Sequence, residues 1–427
     1  MQKIFDKITQ IWQQKNLRKK ILFTALVFLV FRALAHIPVP AIDITRLNSL
    51  FASSQFLSLL NIFSGGTLSR FSIAAVGISP YITASIVMQL SAMVFPTLKE
   101  MQKEGESGRA KYNQYTRFLS VPLAVVQSIS VLALLNSQNL MLGQSPLVLI
   151  AMIMSLVAGA MIVMWLGELL TEYGIGNGIS MILLAGIISQ FPAAVMQALS
   201  VSSNEAWTKI IVFAGVFVLV IALIVFMNEA IRKVSIQYAR RVRGSRSYGG
   251  QTTHLPIRVN VAGVMPIIFA VSIMMLPAFA GRLLAASPDP ALLAWGQRLS
   301  IWFAQDSWIY IGLYFAVVFV FTYFSALVFF NAQDISDELK KSGAFVPSIR
   351  PGAATKKFLE YVVTRITLVG ATFLGFVAVL PSLAQVFTGL SNLAVGGTSV
   401  LIVVSVILET SKQVESMLVG QNYEKYG

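Results

Sequence analysis

Ten runs of mainly apolar residues, each about 20 long, constrain this chain of 427 residues more than any other feature. They lie near 20–39, 74–96, 118–137, 146–166, 178–199, 209–228, 259–281, 307–330, 363–385 and 394–412. That is the length an α-helix needs to cross the hydrocarbon core of a bilayer. In lipid every backbone N–H and C=O must be satisfied within the protein, so a span is either a helix or a strand of a closed barrel. These runs are too long for barrel strands and lack period-2 alternation, so the fold class is all-α with ten transmembrane helices. Composition agrees: 12% of residues are charged, about half the usual share in a soluble domain. The first run follows a basic start and precedes a small-residue Ala33-Leu34-Ala35 sequence, as in a cleaved leader. Arg32 interrupts that pattern and nine further runs follow, so this run is expected to be retained as a span.

The net charge of +14 reads as topology once the spans are drawn. An even number of spans puts both termini on one side, together with segments 97–117, 167–177, 229–258 and 331–362. Counting the edges of those segments, that side holds 26 of the 32 lysines and arginines. The bias makes it the cytoplasmic side, so nucleic acid is not needed to explain the charge. No cysteine is present, which removes disulfides and thiolate sites. His36 and His254 are far apart and sit in no ligand-spaced cluster, so neither a metal nor a cofactor is expected. No GxxxxGK[ST] sequence occurs, so any work must be powered by a partner.

Ionisable residues are scarce at mid-span. Arg32 and Glu409 lie near span ends, and Glu168 and Glu172 fall just past the fourth run. A proton- or sodium-coupled carrier usually needs such a group at the bilayer centre, which weakens that class. Aliphatic pairs four apart, Ile78 with Ile82 and Ile179 with Leu183, share helix faces; by spacing alone ordinary packing accounts for them. One stretch fits neither a span nor a loop. NIFSGGTLSRFSIAAVGISP (61–80) turns from apolar to Gly- and Ser-rich just before the second span. Irregular backbone at membrane depth is tolerated only where it is buried in protein or lines a cavity, so this stretch reads as re-entrant.

Two loops on the basic side are about thirty residues long, with internal pattern of their own. In 229–258, Arg240, Arg241, Arg243 and Arg246 alternate with Tyr238 and Tyr248, a combination that grips phosphates, stacked bases or acidic protein surfaces. In 331–362, Arg350 stands between Ile349 and Pro351, with Lys340, Lys341, Lys356 and Lys357 around it.

Seven segments in order, FSGGTLSR (63–70), GISPYITASIVMQL (77–90), KEGESGRAKYNQYTR (103–117), MWLGELLTEYGIGNGIS (164–180), TTHLPIRVNVAGVMP (252–266), KKSGAFVPSIRPG (340–352) and GGTSVLIVV (396–404), resemble the bacterial SecY family. The resemblance runs from about residue 18 to 424. It implies a non-enzymatic protein-conducting channel of the inner membrane. Two halves, 1–200 and 201–427, would be related as inverted pseudo-repeats of five spans around an hourglass pore. It maps a pore ring onto Ile78, Ile82, Ile179, Leu183, Ile268 and Ile402, with leucine at 183 where the family usually has isoleucine. A narrow aliphatic ring dewets and blocks ions, yet its non-directional contacts widen around any polypeptide. The resemblance makes the re-entrant stretch a plug helix of Phe63, Ser64, Gly65, Gly66, Thr67, Leu68, Ser69 and Arg70. Phe63 and Leu68 would touch the ring, and the glycines would form a hinge. A lateral gate is expected between spans two and seven, with Thr83, Gln89 and Asn260 hydrogen-bonding across the closed seam. The partners implied are SecE, SecG, the SecA ATPase or the ribosome on the two basic loops, signal sequences, unfolded preproteins and anionic lipids. A secondary transporter of small solutes and a passive scaffold are the competing classes. A carrier would need mid-span polar groups, and a scaffold would need no apolar ring.

Overall fold

The computed structural model describes residues 12–39, 66–137, 145–200, 204–238, 241–243, 246–248, 252–261, 263, 265–285, 289–304, 307–388 and 397–424. Long helices coincide with all ten apolar runs. They are α1 (Lys15–Leu34), α2 (Ser79–Val94), α4 (Glu106–Ser137), α5 (Pro146–Tyr173), α6 (Gly178–Ser200), α7 (Asn204–Glu229), α8 (Met265–Ala285), α10 (Trp308–Phe329), α12 (Ala353–Thr388) and α13 (Gly397–Glu424). Short helices α3 (Pro96–Lys103), α9 (Pro290–Trp302) and α11 (Ala332–Lys341) connect them. Among the described residues four stretches are each long and apolar enough to cross a membrane unaided, and α2 with α3, bent by 111°, would make a fifth. The bend follows from Pro96: its ring fixes φ and forces Phe95 into extended backbone, which ends α2.

Three apolar cores organise the helices. One joins residues of α4 and α5 to the turns around Phe71. A second joins α7, α8, α10, α12 and α13. The third gathers side chains from α1, α2, α5, α6, α8 and α13. The first-half helices meet the second half chiefly where α6 touches α13 and where α2 and α4 touch α8. An ion pair between Arg117 Nε and Glu168 Oε1, 2.6 Å apart, ties α4 to the end of α5. Glu168 lies within the last turns of α5, which continues past the apolar run to Tyr173.

The two long basic loops are folded, and they fold together. Segment 229–258 is an antiparallel hairpin of β1 (Ile231–Tyr238) and β4 (Thr252–Arg258), tipped by the pair β2 (Arg241–Arg243) and β3 (Arg246–Tyr248). β5 (Ala344–Phe345) from the other loop adds to β1, giving the order β4-β1-β5. Val234 and Ile257 of the sheet join Ala332, Val346, Leu359 and Val363 in a separate small core. Burial alternates along β1, as a half-buried strand requires.

Candidate functional site

Four helices and the residue that precedes one of them bring the six mapped ring residues to one place. Ile82 from α2, Leu183 from α6, Ile268 from α8 and Ile402 from α13 are all buried in the central cluster with Ile78, the residue just before α2. Ile179 packs against the same cluster, partly buried. Ile268 and Ile402 are each 1% exposed. The i,i+4 pairs explain part of this convergence, because residues four apart stack on one helix face.

The backing of the ring rests on glycines that the sequence reading did not single out. Gly167 of α5 lies against Ile78 and Ile179: a Cβ there would sit 3.3 Å from Ile78 Cδ1, a slightly tight fit, and 3.6 Å from Ile179 Cγ1, an ordinary contact. A Cβ at Gly178 would lie 1.9 Å from the Gly167 carbonyl oxygen, so the start of α6 crosses α5 at a distance that only glycine permits. The elbow between them is pinned by side chains. Thr171 Oγ1 donates to Gly167 O at 2.9 Å and accepts from Gly178 N at 3.0 Å. Asn177 Oδ1 accepts from Ile179 N and Ser180 N, capping α6. Gly176 turns the corner at φ +81°. The motif at 164–180 therefore holds the α5–α6 elbow that carries Ile179 and Leu183 to the central cluster.

A polar cavity of about 330 Å³ is lined by Asn177, Ser180, Asn228, Asn260, Ser405 and Glu409 among others. Ser180 follows Ile179 on α6, and Ser405 lies one turn past Ile402 on α13.

Phe63, Ser64 and Gly65 of the expected plug lie outside the described residues. From Gly66 to Ile78 the chain runs in turns rather than a helix, and α2 starts at Ser79, not at 74. The turns are locally satisfied: Ser72 N donates to Thr67 O, Thr67 Oγ1 to Ala74 O at 2.7 Å and Ser69 Oγ to Gly66 O. They are tied to the end of the first span through Val39 N to Phe71 O and Ile73 N to Ile37 O. Gly66 has φ +80°, and a Cβ there would meet Gln190 Nε2 at 2.9 Å. Arg70 is exposed on this turn. Leu68 belongs to a different apolar cluster from the mapped ring residues. It is buried with Phe71, Leu132 and Leu156 in the α4–α5 core. Phe71 holds φ +42°, a costly backbone for a bulky residue, and is sustained by its complete burial. Gly159 lets α5 lie directly on this segment, since a Cβ there would be 2.0 Å from Ile73 O.

The three gate residues do not bond to one another. Thr83 Oγ1 donates to Ser79 O, and Gln89 Nε2 to Ser85 Oγ at 3.5 Å, both within α2. Asn260 precedes α8 and donates to Asn228 Oδ1 at 3.1 Å and to Gly263 O. The expected bonds across the seam are absent because hydroxyls and amides on a helix find acceptors in the preceding turn first. α2 and α8 are nevertheless neighbours.

Comparison with known proteins decides the family. The SecY family model matches residues 72–411. Curated proteins named Protein translocase subunit SecY align over nearly the whole chain. That of Corynebacterium glutamicum is 41% identical, covering 98% of both chains. That of Pseudomonas aeruginosa is 41% identical, covering 98% of this chain and 93% of its own. The chain belongs to the SecY family. Its fold matches a solved protein-conducting channel with TM-score 0.64 at 18% identity, over 93% of this chain and 92% of that one. It also matches canine Sec61 from a ribosome-channel complex, with TM-score 0.58 at 17% identity and the same coverage.

In this SecY-family chain the basic loops present their charge from a fixed platform. Arg350 is exposed, while its neighbour Ile349 packs into the small core. Thr355 Oγ1 donates to Arg350 O, and Ser336 Oγ donates to Gly352 O, both at 2.9 Å. Gly352 at φ +98° completes the turn. Lys340, Lys341 and Lys357 are exposed, and Lys356 is half-buried with Glu360 Oε1 3.9 Å away. At the tip of the hairpin, Arg243 faces Arg246 and Arg241 faces Tyr248 in register. The side chains of these three arginines, and all of Arg240, lie outside the described residues.

Proposed function

We propose that this chain is the channel subunit of a protein translocase, passing unfolded secretory polypeptides across the membrane and releasing apolar segments sideways into lipid. The observation that carries the reading is the convergence of Ile78, Ile82, Ile179, Leu183, Ile268 and Ile402 from four helices on one buried cluster beside a polar cavity. Aliphatic side chains exclude ions when closed and adapt to any passing sequence when parted. The family is one of channels, not of enzymes or small-solute carriers, and several helices apolar enough to cross a bilayer make the chain a multi-pass membrane protein.

The bias of lysine and arginine supports an inner-membrane orientation with both termini in the cytoplasm. Two halves of five spans would part between α2 and α8, with Thr83, Gln89 and Asn260 lining the gate and residues from Phe63 to Arg70 closing the far side of the ring as a plug. SecE and SecG are the membrane subunits. SecA or the ribosome would dock on the co-folded platform of Arg240, Arg241, Arg243, Arg246, Lys340, Lys341, Arg350, Lys356 and Lys357. The turn at Arg350, its backbone held by Thr355 and Ser336, supports that role, because an ordered backbone loses less entropy on binding. Import of a preprotein into vesicles carrying the chain with SecE and SecG, driven by SecA and ATP, tests it. Arg350→Glu is expected to abolish protease-protected import while the complex still assembles. Normal import by that variant would refute the docking role.

A further inference from the structure

Helix α9 is too apolar for water and too short for a span. Its 13 residues reach roughly 20 Å, short of a hydrocarbon core of about 30 Å. Asp289 Oδ1 caps its start by accepting from Ala291 N. Arg298 is the one ionisable residue inside it, yet Leu292, Leu293, Trp295, Ile301 and Trp302 are all exposed. Trp295, Arg298 and Trp302 are three and four residues apart and so share a face. The Arg298 guanidinium lies 5.7 Å from the centre of the Trp295 ring. The face leads on to exposed Trp308 and Ile309, which open α10, one of the helices apolar enough to cross a membrane.

Where α9 touches the body it is clamped. A Cβ at Gly296 would lie 2.2 Å from Ala285 N, and one at Gly281 would lie 2.9 Å from Leu299 Cβ. The two glycines bring the α8 and α9 backbones together, so α9 moves with the end of α8.

We propose that α9 is an interfacial anchor, lying flat at the headgroup level of the leaflet that meets the C-terminal end of α8. The occupant of its exposed face is lipid. Indole rings prefer the boundary between headgroups and acyl chains, where the apolar ring is buried and the N–H stays hydrogen-bonded. Arg298, stacked near Trp295, is placed to donate to lipid phosphate. Through Gly281 and Gly296 this anchor holds α8 to the membrane surface, so any outward swing of α8 drags the helix through the headgroups.

The chain with its membrane subunits, reconstituted in phosphatidylethanolamine and phosphatidylglycerol vesicles, provides the test. A variant keeping Trp295 alone, with the other five tryptophans replaced by phenylalanine, is read by fluorescence against lipids brominated near the headgroup or near the methyl end. Quenching by the shallow bromines about twofold stronger than by the deep ones is expected for an interfacial ring. No quenching by either, or stronger quenching by the deep label, overturns the proposal. Should that variant not assemble, Arg298→Cys in the otherwise cysteine-free chain, carrying a nitroxide, reports depth by collision with oxygen and with a water-soluble nickel complex. A headgroup depth is expected. Full access to the nickel complex, or protection from both by a covering protein, overturns it.

Discussion

Replacing Ile402 by serine should unseal the channel at rest. Ile402 is 1% exposed and contributes its side chain to the cluster that also holds Ile78, Ile82, Leu183 and Ile268. Burial of an isoleucine stabilises the closed arrangement by about 1.5–3 kcal/mol. A serine hydroxyl left among aliphatic neighbours costs about 1–3 kcal/mol unless it recruits water, which is itself the start of a conducting path. Taking about 3 kcal/mol together, at about 1.4 kcal/mol per tenfold, the closed-to-open ratio falls roughly a hundredfold. Ile402→Val keeps the seal aliphatic and costs only about 0.5–1.5 kcal/mol, or at most about tenfold. Resting conductance of the complex in planar bilayers is the assay. The order expected is serine far above valine, and valine slightly above the parent. A serine variant as silent as the parent, or a valine variant as leaky as serine, would refute the reasoning that dewetting of this cluster is the seal.

Other outcomes follow from the same geometry. Gly178→Val puts a Cβ 1.9 Å from a backbone oxygen of α5, so it should cost about 3 kcal/mol or more; thermal unfolding in detergent would show a lowered midpoint. Deleting residues 63–70 should raise resting ion conductance, whereas unchanged conductance would remove the sealing role of that segment.

Length and hydropathy made the helices legible, because the bilayer leaves few ways to satisfy a backbone and each run meets that demand with its own hydrogen bonds. The ring needed more. Spacing could pair Ile78 with Ile82 and Ile179 with Leu183, but Ile268 and Ile402 reach the cluster through tertiary packing that no local period encodes. The glycines behind the ring were hidden for the same reason. Gly178 reads as an ordinary turn residue until the α5–α6 crossing shows that its missing side chain makes the close approach to Gly167 possible. Hydrophobic patterning also placed the start of α2 too early, since Ala74, Ala75 and Val76 are buried in turns rather than in a helix. The strands of the basic loops stayed hidden because charge dominates their composition, and Val234, Ile236 and Ile257 are few inward residues among many exposed ones. Polarity on facing spans suggests that Thr83 and Gln89 reach across to Asn260, but acceptors within α2 compete and take both donors.

The central claim is that a polypeptide in transit passes through the aliphatic ring. The chain contains no cysteine, so single cysteines can be placed at Ile78, Ile268 and Ile402, with Leu29, 71% exposed on α1, as a lipid-facing control. A preprotein carrying one cysteine, arrested midway by a folded domain at its trailing end, is then oxidised in the vesicles. Disulfide adducts are predicted at 78, 268 and 402 and not at 29. Arrested chains that link to none of the three ring positions, or to Leu29 equally well, would contradict it.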